Sequence, residues 1–143
     1  MPQERYVKVA GDGPLPSRAY EGDAGFDLYV AQTTVLQPRS FGLVPAGVRI
    51  QPPDDMWFLI LGRSSASNKL GLIVIPAVID TGFRGDLFAN VYNTHEHEVK
   101  IQEGQRVAQM VPFELHAAGL SMMAVAELDD SERGVGGFGS SGH

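Results

Sequence analysis

Apolar and polar positions along this chain are organised in short β-type runs. They are YVKVA (6–10), TTVLQ (33–37), FGLVP (41–45), GVRIQ (47–51), MWFLIL (56–61), LGLIVI (70–75), DLFANVYN (86–93), HEVKIQ (97–102) and RVAQMVPFEL (106–115), bounded by Gly, Pro, Asn or Asp. Many short strands with turn signals between them predict a sandwich, jelly roll or small barrel. Alternating segments flank Glu103-Gly104-Gln105, a pattern that predicts a hairpin. Two stretches resist the β pattern. SSASNKL (64–70) opens with helix-capping residues and fits one or two helical turns, whereas MMAVAELDD (122–130) reads as helix on composition alone. No internal repeat is visible, and no linker precedes about residue 129.

Composition narrows this picture. With 143 residues the chain fits one domain, and its 17 glycines and 9 prolines are too many for a helix bundle. A formal charge of −6 argues against a protein that coats nucleic acid, because such binding rests on basic surface neutralising phosphates. An anionic ligand would therefore need a local cluster of arginines or a divalent cation. There is no cysteine, which removes disulfide scaffolds, thiol nucleophiles and thiolate metal sites. The N-terminus lacks the apolar core of a secretory signal. The longest apolar run, 70–79, is interrupted by Gly71 and Pro76 and is far below the ~20 residues of a membrane span. A cytoplasmic protein without membrane partners is expected.

Five segments carry candidate chemistry, and each also has an ordinary structural reading. AGFDLY (24–29) holds Asp27 among apolar neighbours, as a turn that caps backbone amides would. GRSSASNKLGL (62–72) sets Arg63, Ser64 and Ser65 at the start of the short helix, an anion-binding corner or simply a capped surface turn. In PAVIDTGFRGD (76–86), Asp80 ends an apolar run before Thr81-Gly82. A carboxylate there can orient and deprotonate a water, or merely form the turn. RVAQMVPF (106–113) puts Arg106 and Gln109 on opposite strand faces unless a bulge intervenes. RGVGGFGSSGH (133–143) reads as a flexible tail, yet it carries an arginine and a phenylalanine and lacks the lysine and helix of a Walker loop.

Taken together and in this order, the segments resemble the five motifs of the trimeric dUTP pyrophosphatases (dUTPases). AGFDL (24–28), GRSSASNKLGL (62–72), AVIDTGFRG (77–85), RVAQ (106–109) and RGVGGFGSSG (133–142) match, a resemblance spanning 24–142. It implies an all-β, jelly-roll-like sandwich or barrel over 1–132 with at most one short helix near 64–70. A glycine-rich arm, 133–143, would close over the site.

The resemblance further implies a homotrimer with composite sites that hydrolyses dUTP to dUMP and pyrophosphate with Mg²⁺. That activity limits uracil in DNA and supplies dUMP for dTMP synthesis. Asp80 would be catalytic, holding the water that attacks the α-phosphorus. Arg63, Ser64, Ser65, Gln109, Arg133, Ser140 and Ser141 would contact phosphates, with Gly139 letting the backbone approach. Phe138 would stack on uracil. Phe83 stands where the family has a tyrosine under the deoxyribose, and Ala77 replaces a glycine beside the base. Asp27 would act on the metal's water shell or on local architecture rather than as a tight ligand. The same resemblance makes 122–128 a strand, against its propensity, because a family strand before the tail reaches a neighbouring subunit.

Two other readings share the scaffold. dCTP deaminases carry a catalytic glutamate ten residues after the aspartate, where this chain has Asn90, and a neutral amide cannot shuttle the proton. A regulatory binding protein would keep the fold without needing the chemistry. The His95-Glu96-His97-Glu98 stretch is read as a solvated turn rather than a zinc site, and Trp57 as core or interface packing.

Overall fold

The computed structural model of the chain describes residues 5–136. Its described part is almost entirely antiparallel β structure. Strand β1 (Lys8–Ala10) pairs with β5 (Arg49–Gln51), and β3 (Thr34–Leu36) pairs with β10 (Val99–Ile101). A four-stranded sheet runs in the order β2 (Phe26–Tyr29), β11 (Arg106–Glu114), β6 (Met56–Gly62) and β8 (Ala77–Ile79). A three-stranded sheet runs β4 (Phe41–Pro45), β9 (Phe88–Asn93) and β7 (Leu72–Ile75). One helix, α1 (Ser64–Leu70), lies between β6 and β7.

Period-two alternation sorts these strands into an inner and an outer face. In β6, Phe58 and Ile60 are each 1% exposed; in β9, Ala89 and Val91 point inward; in β7, Leu72 and Val74 do so while Ile73 and Ile75 face out. The inward residues of both larger sheets join Leu28, Leu36, Val44 and Val107 in one cluster. Each fully covered aliphatic or aromatic side chain contributes roughly 1.5–3 kcal/mol relative to exposure. The one buried polar side chain among the described residues is Asn93, whose amide is fully hydrogen-bonded to backbone.

The all-β architecture with a single helix at 64–70 agrees with the sequence pattern, but two local expectations are corrected. Residues 97–115 do not form a hairpin. Their turn exists, with Gln105 N–H donating to Gln102 O at 3.1 Å and Gly104 at φ 87°, but β10 joins β3 while β11 lies between β2 and β6. Gly104 N–H donates to Val30 O at 2.7 Å and Val30 N–H to Gln105 O at 2.8 Å across this corner, so the turn passes the chain between sheets. Second, 122–128 is neither helix nor strand. It carries no regular secondary structure, with Met122 96% exposed and Met123, Val125 and Leu128 also exposed, and among the described residues no strand pairs with it. Phe26–Tyr29 is the strand that follows the turn before it, and Ala77–Ile79 is the strand at whose end Asp80 stands, both as the motif segments suggest.

Candidate active site

Motif residues far apart in sequence converge where β2, β6 and β11 end together. An open recess of about 430 Å³ is lined by Ala19, Tyr20, Asp23, Gly25, Asp27, Arg63, Ser64, Arg106 and Gln109 among others. Its centre is the Asp27 carboxylate, whose side chain is only 16% exposed. Arg63 Nε meets Asp27 Oδ1 at 2.9 Å, and Arg106 Nη1 meets Oδ2 at 3.4 Å. Arg63 also donates from Nη1 to Arg106 O at 3.0 Å, which ties the end of β6 to the start of β11.

Arg106 reaches this recess because β11 is irregular. Against β2, Arg106 pairs with Tyr29 but Ala108 pairs with Leu28, so the register shifts across Val107. Val107 is buried, while Arg106 and Gln109 both line the recess, the outcome that regular alternation forbids and a bulge permits. Gln109 Nε2 donates to Gly62 O at 3.2 Å. Gly25 is buried against the Gln109 side chain, and any Cβ there would run into its amide.

Helix α1 begins at the recess. Arg63 is its N-cap, with extended backbone and no side-chain capping bond, and Ser64 is exposed at the recess wall. Ser65, next in the first turn, is half-buried. Two guanidinium groups thus stand with two carboxylates, Asp23 and Asp27, and the recess carries no formal excess of positive charge. Asp23 escaped sequence reading. Its side chain accepts from Tyr20 N–H at 3.0 Å and so shapes the loop before β2.

Asp80 is not in this recess. Residue Ile79 pairs with Phe58, so Asp80 follows beside Trp57 at the opposite end of β6 from Arg63. Six residues of strand separate Trp57 from Arg63, about 20 Å at ~3.3 Å per residue. Asp80 is exposed and heads a tight turn in which Phe83 N–H donates to Asp80 O at 3.0 Å. Thr81 Oγ1 anchors the turn to Pro53 O at 3.1 Å. The Phe83 ring is 43% exposed and folds over Gly85, where a Cβ would collide with it.

Near Asp80, an apolar recess of about 340 Å³ is walled by Trp57, Val78, Phe113 and Leu115. Trp57 stacks on Phe113 with ring centroids 4.8 Å apart, in keeping with a packing role. Ala77 sits in β8 opposite Ile60, with its methyl packed on the core cluster. Arg133 lies in a turn of its own, Nε donating to Gly136 O at 2.7 Å, and does not line the recess of its own chain. Phe138, Gly139, Ser140 and Ser141 lie outside the described residues.

No cluster of three potential ligands is present among the described residues. Both Asp27 oxygens already face guanidinium groups. This donor set suits a divalent ion that arrives on phosphate oxygens better than one resident on the protein. Position 90, where a deaminase would need a carboxylate, is an asparagine in β9 between Leu43 and Ile75. His95 is half-buried rather than solvated and bonds to Leu70 O, while His97 stacks on it.

The family model described as dUTPase matches residues 12–142 of this chain. A deoxyuridine 5'-triphosphate nucleotidohydrolase of Tropheryma whipplei (strain Twist) is 40% identical over 133 residues, 91% of this chain and 90% of that protein. One from Paramecium bursaria Chlorella virus 1 is 35% identical over 135 residues, 94% of each. Among solved structures, the Staphylococcus bacteriophage 80alpha dUTPase with dUPNHPP superimposes with a TM-score of 0.88 at 28% identity, covering 96% of this chain and 99% of that one.

Proposed function

The chain belongs to the dUTPase family, and from that premise we propose that it hydrolyses dUTP to dUMP and pyrophosphate in a homotrimer with composite sites. The observation that carries this reading is the convergence of Asp27, Arg63, Ser64 and Gln109, from three separate motifs, on one recess. In this reading Arg63, Ser64, Ser65 and Gln109 hold the phosphates, and Asp80 holds the attacking water. A carboxylate suits that role because it accepts hydrogen bonds strongly and aligns the water for in-line displacement at the α-phosphorus. The Asp80 side chain is supplied by a different subunit, since about 20 Å separates it from Arg63 within one chain.

Charge supports the same arrangement. A triphosphate brings about four negative charges near neutral pH, and Arg63 and Arg106 are offset in their own chain by Asp23 and Asp27. Mg²⁺ held by the phosphate oxygens would supply the missing positive charge and polarise the P–O bonds. Asp27 would meet the ion only through water, its primary contacts being the two guanidinium groups. Arg133, carried on the arm 133–143, adds a further cation, and Phe138 offers a ring for the base. Glycines in that arm let backbone amides approach phosphate without side-chain obstruction.

Selection of deoxyribose falls to the Asp80–Phe83 turn. Phe83 keeps a ring face for the sugar and lacks only a hydroxyl relative to tyrosine. The Ala77 methyl points into the core, so its effect on base fit passes through the β8 backbone. Physiologically the reaction would limit uracil in DNA and feed dTMP synthesis. Pyrophosphate release from dUTP, set beside dCTP and UTP, tests the reading. Asp80→Asn should lower turnover by about 10²–10⁴-fold, the usual range for loss of a general base. Absence of dUTP hydrolysis by the wild type would leave only a binding role on this scaffold.

A further inference from the structure

Helix α1 carries three of the proposed phosphate ligands at one end, yet it has little of its own to hold it in place. Seven residues are well below the ~12–15 at which an isolated helix becomes even marginal in water. Its N-cap lacks a side-chain bond and its first turn has no acidic residue. Ala66, 1% exposed, anchors the near side to the core. The far side is gripped by a segment outside all five motifs.

That segment is Thr94-His95. The Leu70 carbonyl faces His95 Nε2 at 2.8 Å, and because a carbonyl can only accept, the imidazole donates from Nε2. Thr94 Oγ1 donates to Gly71 O at 2.6 Å. Gly71 ends the helix in the left-handed region at φ 64°, and a Cβ there would lie 2.7 Å from His95 Nε2. The grip therefore closes on glycine only.

The gripping segment is itself fixed. Fully buried Asn93 accepts from His95 N–H at 2.9 Å and donates from Nδ2 to His97 O at 2.9 Å and Gln37 O at 3.1 Å. His97 covers the outer face of the His95 ring, centroids 4.8 Å apart. A rigid path thus runs from the core through Asn93 and His95 to the C-terminal end of α1, and along the helix to Ser65, Ser64 and Arg63.

We propose that His95, seconded by Thr94, is a positioning residue for the phosphate recess: it fixes α1 so that Arg63, Ser64 and Ser65 present a preformed surface to the triphosphate. His95 lies the length of the helix away, about 10 Å at ~1.5 Å per residue, and touches no reacting group. The functional half of this proposal rests on the dUTP reading; the structural half does not.

The test uses the full-length wild type, His95→Phe, His95→Gln and Thr94→Val. Phenylalanine keeps the volume and the stack on His97 but has no donor, whereas glutamine restores an N–H to Leu70 O. A core variant outside the path, Ile101→Val, controls for plain loss of stability. His95→Phe should raise KM for dUTP about fivefold or more with kcat within about twofold, His95→Gln should recover most of it, and Thr94→Val should shift KM the same way. Amide exchange over 66–71 should accelerate about tenfold in His95→Phe and Thr94→Val but not over β10. Unchanged KM and exchange in both clamp variants overturn the proposal, as does an equal rise in KM in Ile101→Val. If the wild type does not hydrolyse dUTP the functional reading fails, and exchange over 66–71 still decides the clamp.

Discussion

Two inactive variants of this protein should restore each other's activity. The perturbation pairs Asp80→Asn, which removes the proposed water-holding carboxylate, with Arg63→Gln, which removes a proposed phosphate ligand. Asp80 follows a strand paired at Phe58, and Arg63 follows the far end of β6, so no single chain brings them together. Across about 20 Å, well beyond the reach of either side chain, bridging would require unfolding β6 from both of its neighbours. The proposed site then takes Asp80 from one chain and Arg63 from another. In randomly mixed oligomers each site draws an intact Asp80 with probability one half and an intact Arg63 with probability one half. About a quarter of sites should be complete, whatever the size of the closed ring. Each variant alone should retain about 1% of turnover or less. The assay is pyrophosphate release after co-refolding equal amounts, with hybrid formation verified by native mass spectrometry. Recovery near 25% of wild type is expected. Hybrids that form and yet stay at the level of the parents would refute the geometry on which the composite site rests.

Further outcomes follow from single side chains. Gly25→Ala should raise KM for dUTP about tenfold with the fold retained, because the new methyl evicts the Gln109 amide from its bond to Gly62 O; Michaelis kinetics with circular dichroism checks this, and an unchanged KM would mean Gln109 does not bind phosphate. Phe138→Ala should lower kcat/KM by roughly tenfold, as expected for losing ~1–3 kcal/mol of base stacking. Deleting 133–143 should leave the melting temperature intact and remove most activity, and a truncated protein with full turnover would show the arm to be dispensable.

Much of this fold was legible because the information is local. Phe58 and Ile60 alternate with outward residues, and the pattern needs no knowledge of partners. Ser64, Ser65 and Gly71 mark the start and stop of α1 within eight residues. What stayed hidden depends on neighbours distant in sequence. The bulge at Val107 is visible only in the pairing of β11 with β2, so regular alternation separates Arg106 from Gln109 when the folded strand joins them. Pairing of Asp27 with Arg106 spans 79 residues and leaves no trace in either motif alone. Likewise the turn at Gly104 has hairpin chemistry, but the strands it joins are captured by different sheets. His95 shows the same limit from the other side. A histidine in a Glu-rich turn reads as solvated until Leu70, 25 residues earlier, is found against its ring.

Three features that look like defects in one chain have a common physical account in the proposed trimer. Apolar residues of 120–128 lie uncovered and without regular secondary structure; Arg133 stands outside its own recess; Asp80 and Arg63 stand at opposite ends of β6. In the proposed trimer an uncovered apolar segment without a β partner in its own chain would add to the sheet of another copy, where it would bury Leu120, Met122 and Leu128 and complete its hydrogen bonds. That would carry the residues after it, Arg133 and the glycine-rich stretch, toward a neighbouring chain. The same association would set the Asp80 turn of one copy against the recess of another. In the proposed trimer, the segment that forms no strand alone and the recess that lacks Asp80 alone would be completed together: one association would satisfy the backbone of the first and the charge of the second.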